Sequence, residues 1–261
     1  MLARVLPLVA FGASLARRGI MVFIAMVVSA ITAVVLALIA VILGMRGGDA
    51  PVHDIPLLAS SAIAWGGGFL QAFAVAAHAL RNDRTEGIRH LFVTRTTSLH
   101  GYILARVGGL AAVLGIVVAG GTLLTGLVAI LAATRVHAVP KTMHATFAAF
   151  VFAIAFAAVV APVAFAALGA RNRFGGYLFL LAIVVFPEIV ANALSGVLPP
   201  EVTEVLAIPS ALGALRSSLS PGSVNGFRLV RSVVALAIAA ALALAWVRRD
   251  AKAIERPEAE A

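Results

Sequence analysis

Cysteine and charged residues are what this chain of 261 residues most clearly lacks. It contains no cysteine, which excludes disulfides, thiolate metal sites and a cysteine nucleophile. Charged residues make up 12% of the chain, whereas a soluble domain carries about 25%. Because 62% of the residues are hydrophobic, the composition also excludes extensive disorder. The remaining class is a membrane protein.

Apolar residues occur in runs long enough to cross a bilayer, since about 20 apolar helical residues span roughly 30 Å of hydrocarbon. The six runs of this length are Ile20–Leu43, Ile55–Leu80, Tyr102–Ala133, Ala145–Gly169, Gly176–Leu198 and Leu229–Val247. The third run is too long for a simple crossing, so we expect it to tilt or to begin before the membrane. The sequence predicts an all-α, polytopic membrane protein with six transmembrane helices, formed as one domain over residues 1–261.

The basic residues predict the orientation of these helices. The chain has 20 Lys and Arg against 11 Asp and Glu, a net charge of +9. We assign this excess to cytoplasmic loops beside anionic lipid headgroups, and not to nucleic-acid binding. Most basic residues fall on the side of both termini, which are therefore expected in the cytoplasm. The basic residues on the opposite side are Arg46, Arg135, Lys141, Arg216, Arg228 and Arg231.

The first 18 residues predict a short interfacial helix. Arg17 and Arg18 would lie among the headgroups, immediately before the first full-length span. A cleaved signal peptide is the alternative, because a basic residue precedes an apolar run that ends in small residues. Pro7 and Gly12 interrupt that run and favour the interfacial helix.

The outer loop at 199–228 predicts a further short helix. Apolar residues recur there at helical spacing, beside Ser210 and Arg216. These residues are Ala207, Ala211, Leu212 and Leu215. The helix would lie on the outer surface or dip into it, and the alternative is an irregular capping loop.

The inner loop at 81–101 carries the most information about function. Asp83 can cap a helix, with Glu86 three residues later reaching back in a capping box. Apolar residues that follow at helical spacing predict a short amphipathic helix on the inner membrane surface. The alternative is an arginine-rich loop that only enforces the topology.

This loop resembles that of permease subunits of ABC exporters of the type-2 class. The family pattern is a charged pair, a glycine, a leucine-rich turn, a Ser or Thr segment and an aliphatic stretch that ends in a basic residue. The matching residues are Arg84, Glu86, Gly87, Leu91, Ser98, Leu104 and Arg106. Members often carry a proline before the Ser or Thr, where this chain has Arg95–Thr96–Thr97. The predicted spans, the interfacial helix and the outer-loop helix match the family over the whole chain.

The resemblance implies a multi-pass permease of the inner (plasma) membrane, coupled to a separate ABC ATPase subunit that docks under the inner loop. The residues implied in coupling are Asp83, Arg84, Glu86, His90 and Arg95. The other implied partners are a second permease copy or a homologous permease, and the lipid bilayer. ATP and magnesium would bind in the ATPase, because this chain has no phosphate-binding G-x-x-x-x-G-K-[ST] loop. No cofactor, metal or catalytic residue is therefore expected in the chain itself.

Polar residues inside the predicted spans are costly and need a reason. Glu188 follows Pro187 in the fifth span, with Asn192 one turn later, and Gln71 and His78 share a face of the second span. They would line a substrate path or contact another subunit. The alternative is hydrogen bonding between packed helices.

Two other functions stay open. A stand-alone channel or secondary transporter would work without an ATPase, and a membrane scaffold would show no ATP-linked activity. Enzymes have less support. Ser195–Gly196 lacks the preceding glycine of an intramembrane serine protease motif, and the chain has no H-E-x-x-H motif of a metalloprotease.

Overall fold

The computed structural model describes residues 2–17, 19–46, 51–77, 79–87, 99–133, 138–170, 173–220 and 225–253, and within these ranges all regular structure is helical. The α-helices are α1 (Leu2–Ala16), α2 (Ile20–Arg46), α3 (Ile55–Ile63), α4 (Phe69–Ala76), α5 (Ala79–Thr85), α6 (Leu99–Ala132), α7 (Ala138–Leu168), α8 (Arg173–Leu180), α9 (Phe186–Ala193), α10 (Pro200–Leu206), α11 (Ile208–Ser218) and α12 (Gly226–Ala253).

Six helical stretches are long and apolar enough to cross a membrane. The first to sixth spans are Ile20–Arg46, Val52–Asp83, Gly101–Ala132, Ala138–Leu168, Phe174–Ala193 and Gly226–Lys252. They coincide with the six predicted runs, so the predicted all-α polytopic membrane fold is confirmed. The helix that forms the third span has 34 residues and is about 51 Å long, so it exceeds the hydrocarbon thickness as expected.

The fourth span is the centre of the bundle. In its most apolar window 78% of the residues are buried, against 22% in the first, fifth and sixth spans. It packs mainly against the second and third spans, and also against the sixth. Phe152, Phe156 and Phe165 are fully buried between many alanines, and small and large side chains of this kind fill a core densely.

The N-terminal helix α1 packs closely against α6. A Cβ atom at Gly12 would lie 1.8 Å from the carbonyl oxygen of Ala105, and one at Gly109 would lie 2.2 Å from the carbonyl carbon of Gly12. No side chain fits at either glycine, so the two backbones are in direct contact. Gly12 interrupts an apolar run in the sequence, but in the fold it is what lets α1 approach α6. The predicted helix near the N-terminus is confirmed, and its position relative to a membrane stays a prediction.

Short π-helical segments interrupt the second and fifth spans at Ala64–Gly68 and Leu181–Val185. In the first segment, a Cβ atom at Gly67 would lie 2.1 Å from Oγ of Ser29, so this glycine lets the first and second spans cross closely. Pro187 follows the second segment and cannot donate to the carbonyl four residues earlier. Both spans therefore have a point at which the regular α-helical hydrogen bonding is broken.

The outer loop folds back among the spans. Its helices α10 and α11 are here called the re-entrant pair. Ile208, the first residue of α11, lines the same small cavity as Trp65 of the second span and Leu180 of the fifth. The start of α11 therefore lies as deep in the bundle as the middle of those spans. The predicted helix is confirmed, and the alternative of an irregular loop is wrong; its depth relative to a membrane stays a prediction.

Candidate functional site

At its inner end the second span is broken by a change of backbone direction. The helix α4 ends at Ala76, and Ala77 has a ψ of 116°, which cannot continue a helix. The short helix α5 follows from Ala79. The backbone N–H of Leu80 donates to the carbonyl oxygen of Gly169, at the inner end of the fourth span, over 3.1 Å. Thus α5 is a separate segment that is attached to the turn after the fourth span.

A buried polar cluster attaches α5 to the third span as well. Asp83 accepts bonds at Oδ2 from Nε of Arg106 over 2.6 Å and from the Tyr102 hydroxyl over 2.5 Å, and at Oδ1 from Nη2 of Arg106 over 2.5 Å. The relative exposure of Asp83 and Tyr102 is 1%, and that of Arg106 is 8%. We call these three residues the inner clasp. A bidentate, charge-assisted pair that is sheltered from water fixes the geometry of its two helices closely.

The inner clasp corrects one sequence prediction. Asp83 does not cap a helix that begins after it, because it lies inside α5 and its carboxylate is bonded to the third span. With an exposure of 1% it also cannot touch a docked subunit directly. The capping-box pattern was misleading because Arg106 and Tyr102, at 23 and 19 residues from Asp83, offer stronger donors.

The remaining residues implied in coupling follow Asp83 in the sequence. Arg84 lies in α5, and Glu86 is exposed just beyond it, with its backbone N–H bonded to the carbonyl oxygen of Asn82. His90 and Arg95 lie outside the residues that the structure describes, as do the residues of the predicted amphipathic helix. Their contact with an ATPase stays a prediction.

Gln71 is the most unusual polar side chain in the described part of the chain. Its side chain is fully buried in α4, and neither its Oε1 nor its Nε2 has a hydrogen-bond partner among the described residues. An amide left in this state costs roughly 1–3 kcal/mol. His78, predicted to share its face, lies outside the described residues. No contact among the described residues therefore explains the burial of the Gln71 amide.

Glu188 anchors the buried start of the re-entrant helix α11. Its Oε2 accepts bonds from the backbone N–H of Ser210 over 3.1 Å and from the Ser210 hydroxyl over 2.8 Å. The first N–H groups of a helix have no partner within it, and they are costly where spans exclude water. Pro209 removes one such donor and Glu188 satisfies another. Hydrogen bonding between helices is thus one role of Glu188, and a role in a substrate path stays a prediction.

Asn192, predicted on the same helical face as Glu188, is exposed. Its carbonyl oxygen accepts a bond from the hydroxyl of Ser195. The structure therefore brings Glu188 together with the re-entrant pair, and it leaves the side chain of Asn192 at the surface of the single chain.

Three of the arginines on the outer side, Arg216, Arg228 and Arg231, have partners within the protein. Arg228 and Arg231 both bond Glu204 of α10, with Nε of Arg228 at 3.1 Å and Nη2 of Arg231 at 2.6 Å from its Oε2. Nη1 of Arg216 donates to the carbonyl oxygen of Leu57 over 3.0 Å. Burial lowers the pKa of Arg216, although a guanidinium stays charged at neutral pH. These bonds fix the re-entrant pair to the second and sixth spans, which explains why arginine occurs there against the charge rule.

One feature of the sequence points to the inner clasp. Arg106 lies one helical turn after Tyr102, near the start of an apolar span, where an ionisable group needs a partner. Ser210 and Glu204 gave no such signal, because their partners come from elements that only the folded loop brings near.

Comparisons of the chain with protein-family models, with curated proteins and with solved structures find no match.

Proposed function

We propose that the chain is the membrane-spanning permease subunit of an ATP-driven ABC exporter in the inner (plasma) membrane. It works with a second copy of itself or a homologous permease, and separate ATPase subunits bind below its inner loop. The substrate moves by alternating access between the inner and outer ends of the bundle. The observation that carries this proposal is the inner clasp.

Through the inner clasp and its neighbouring bonds, α5 is attached to three spans. α5 forms the inner end of the second span, its Asp83 is bonded to the third span, and its Leu80 is bonded to the turn after the fourth. A force applied to the loop that follows α5 therefore acts on the inner ends of these spans together. A loop that only enforced topology would not need a buried ion pair, whose desolvation is costly.

The position of Glu86 suits a docking contact. It is exposed, and the next residue, Gly87, has a φ of 69°, a left-handed conformation that does not continue a helix. Arg84, His90 and Arg95 supply further charge in the same segment of the sequence. In this proposal Glu86, His90 and Arg95 contact the ATPase, and Asp83 is a positioning residue that acts through Arg106.

The spans also contain places at which they can change shape. The π-helical segments of the second and fifth spans border one cavity, which Trp65 and Val184 both line. One turn beyond the first segment lies Gln71, whose buried side-chain amide has no hydrogen-bond partner among the described residues. These features support alternating access by rearrangement of the second and fifth spans.

The test is purification of the tagged full-length chain from its native membrane in a mild detergent. We expect an ATP-binding subunit to co-purify in equal amount, and we expect deletion of residues 83–98 to abolish it. Glu86→Arg should weaken the retention of that subunit.

The matched control is Glu201→Arg, the same charge reversal at an exposed position of the re-entrant pair, which should retain the subunit fully. Equal loss with both variants would mean that general instability, and not docking, explains the effect. A pure oligomer of this chain alone would contradict the exporter proposal and favour a stand-alone transporter or a scaffold.

A further inference from the structure

An apolar groove opens between the inner halves of the fourth, fifth and sixth spans. Its volume is about 360 Å³, within the roughly 300–1,000 Å³ range of small-molecule sites. Every lining side chain is apolar. The lining residues are Val163, Ala166, Phe179, Ile183, Ile208, Ala239, Leu242, Ala243 and Trp246. The groove can therefore hold a hydrocarbon chain, because its surface is almost entirely apolar.

Small residues form the floor of this groove, and larger ones form its walls. Ala166 and Ala243 are buried at the base, where a larger residue would fill the space. Phe179 and Trp246 meet at one end, with ring centroids 5.4 Å apart. The recess thus results from particular residues of three spans, and is more than the ordinary gap between neighbouring helices.

Positive charge lies at the aromatic end of the groove. The guanidinium carbon of Arg249 is 5.8 Å from the centroid of the Trp246 ring. Arg248, Arg249 and Lys252 are all exposed there. A tryptophan beside basic residues is typical of the level of lipid headgroups. With the C-terminus in the cytoplasm, as the sequence predicts, this end faces the leaflet that is rich in anionic lipid.

We propose that the groove binds one acyl chain of an anionic phospholipid of the bilayer, whose headgroup phosphate pairs with Arg249. The apolar lining fits the chain, and the charge beside Trp246 fits the phosphate. This inference is independent of the ATPase and of the proposed export function.

Trp246 itself can report the lipid. The chain has two tryptophans, so a Trp65→Phe variant leaves Trp246 as the only one. The variant is reconstituted into phosphatidylcholine vesicles that contain increasing fractions of phospholipid with brominated acyl chains, which quench a tryptophan in contact. We expect brominated phosphatidylglycerol to reach half-maximal quenching at a mole fraction about fivefold lower than brominated phosphatidylcholine.

Two pairs of variants distinguish a bound lipid from the general lipid shell. Arg249→Gln should remove the preference for phosphatidylglycerol, whereas Arg248→Gln, which removes the same charge next to it, should largely preserve it. Ala243→Phe should fill the groove and weaken quenching, whereas Ala245→Phe, the same change at an exposed position, should not.

Equal quenching by the two lipids, or equal effects of the two arginine variants, would overturn the proposal. Weak quenching by both lipids, together with cross-links between copies at Leu242→Cys, would show that a second copy of the chain covers the groove, and would also overturn it.

Discussion

Removal of one member of the inner clasp should cost far more stability than removal of an exposed charge. Asp83→Asn keeps the shape of the side chain but leaves the buried Arg106 without a counter-charge. Loss of one partner of a buried pair costs about 3–5 kcal/mol of the free energy of unfolding. Arg106→Met should cost a similar amount, because the carboxylate of Asp83 then stays buried with only the Tyr102 hydroxyl as a partner. The double variant should lose less than the sum of the two by about 2–3 kcal/mol.

The assay is unfolding in mixed micelles by titration with a denaturing detergent, followed by far-ultraviolet circular dichroism. Asp54→Asn is the matched control. The side chain of Asp54 is 61% exposed and its His53 partner lies at 3.6 Å, so its loss should cost less than about 1 kcal/mol. Strictly additive losses in the double variant, or a loss for Asp83→Asn as small as for Asp54→Asn, would refute the assignment of a coupled buried pair.

Three further substitutions test the packing and the polar contacts of the bundle. Gly109→Ala should destabilise the protein by about 1–3 kcal/mol, because its methyl group meets the backbone of α1. The control Gly120→Ala in the same helix meets no neighbouring atom and should stay within about 0.5 kcal/mol of the wild type. Equal melting temperatures of the two variants would contradict the close approach of α1. Glu188→Leu should expose the re-entrant pair to limited proteolysis, because it leaves the backbone N–H of Ser210 without an acceptor. Glu188→Gln keeps an acceptor and should be cleaved at the same rate as the wild type. Identical cleavage of both variants would contradict the anchoring role of Glu188. Gln71→Leu should raise the melting temperature, since it removes an unsatisfied amide worth about 1–3 kcal/mol; a lower melting temperature would show that the amide has a partner.

The sequence was sufficient for the membrane-spanning architecture because one physical rule governs it. A span must be apolar over the thickness of the bilayer, so Ile20–Leu43 and Ala145–Gly169 could be recognised without knowledge of any neighbour. The helix within the outer loop was also predictable, because the spacing of Ala211 and Leu215 is a local property.

The partners in the polar contacts were not predictable, because they depend on how distant segments meet. Asp83 fitted a local capping pattern, yet its partners are 19 and 23 residues away. The bond of Glu188 to Ser210 exists only because the chain reverses after Pro199 and returns into the bundle. A glycine such as Gly12 gives no sign in the sequence of whether it breaks a helix or lets a second one approach.

The proposed transmission of movement from the inner loop to the outer end can be tested with a single thiol, because the chain contains no cysteine. Ser218 is fully buried at the outer end of α11. In the complex with the ATPase, we expect ATP to raise the rate at which a thiol reagent modifies Ser218→Cys, since the outer end opens. The exposed control Asn192→Cys should react at the same rate with and without ATP.

Introduction of Asp83→Asn into the Ser218→Cys variant should abolish the rise caused by ATP, while the ATPase subunit still co-purifies. An unchanged rise in that double variant would contradict the role of the inner clasp as the link between the inner loop and the spans.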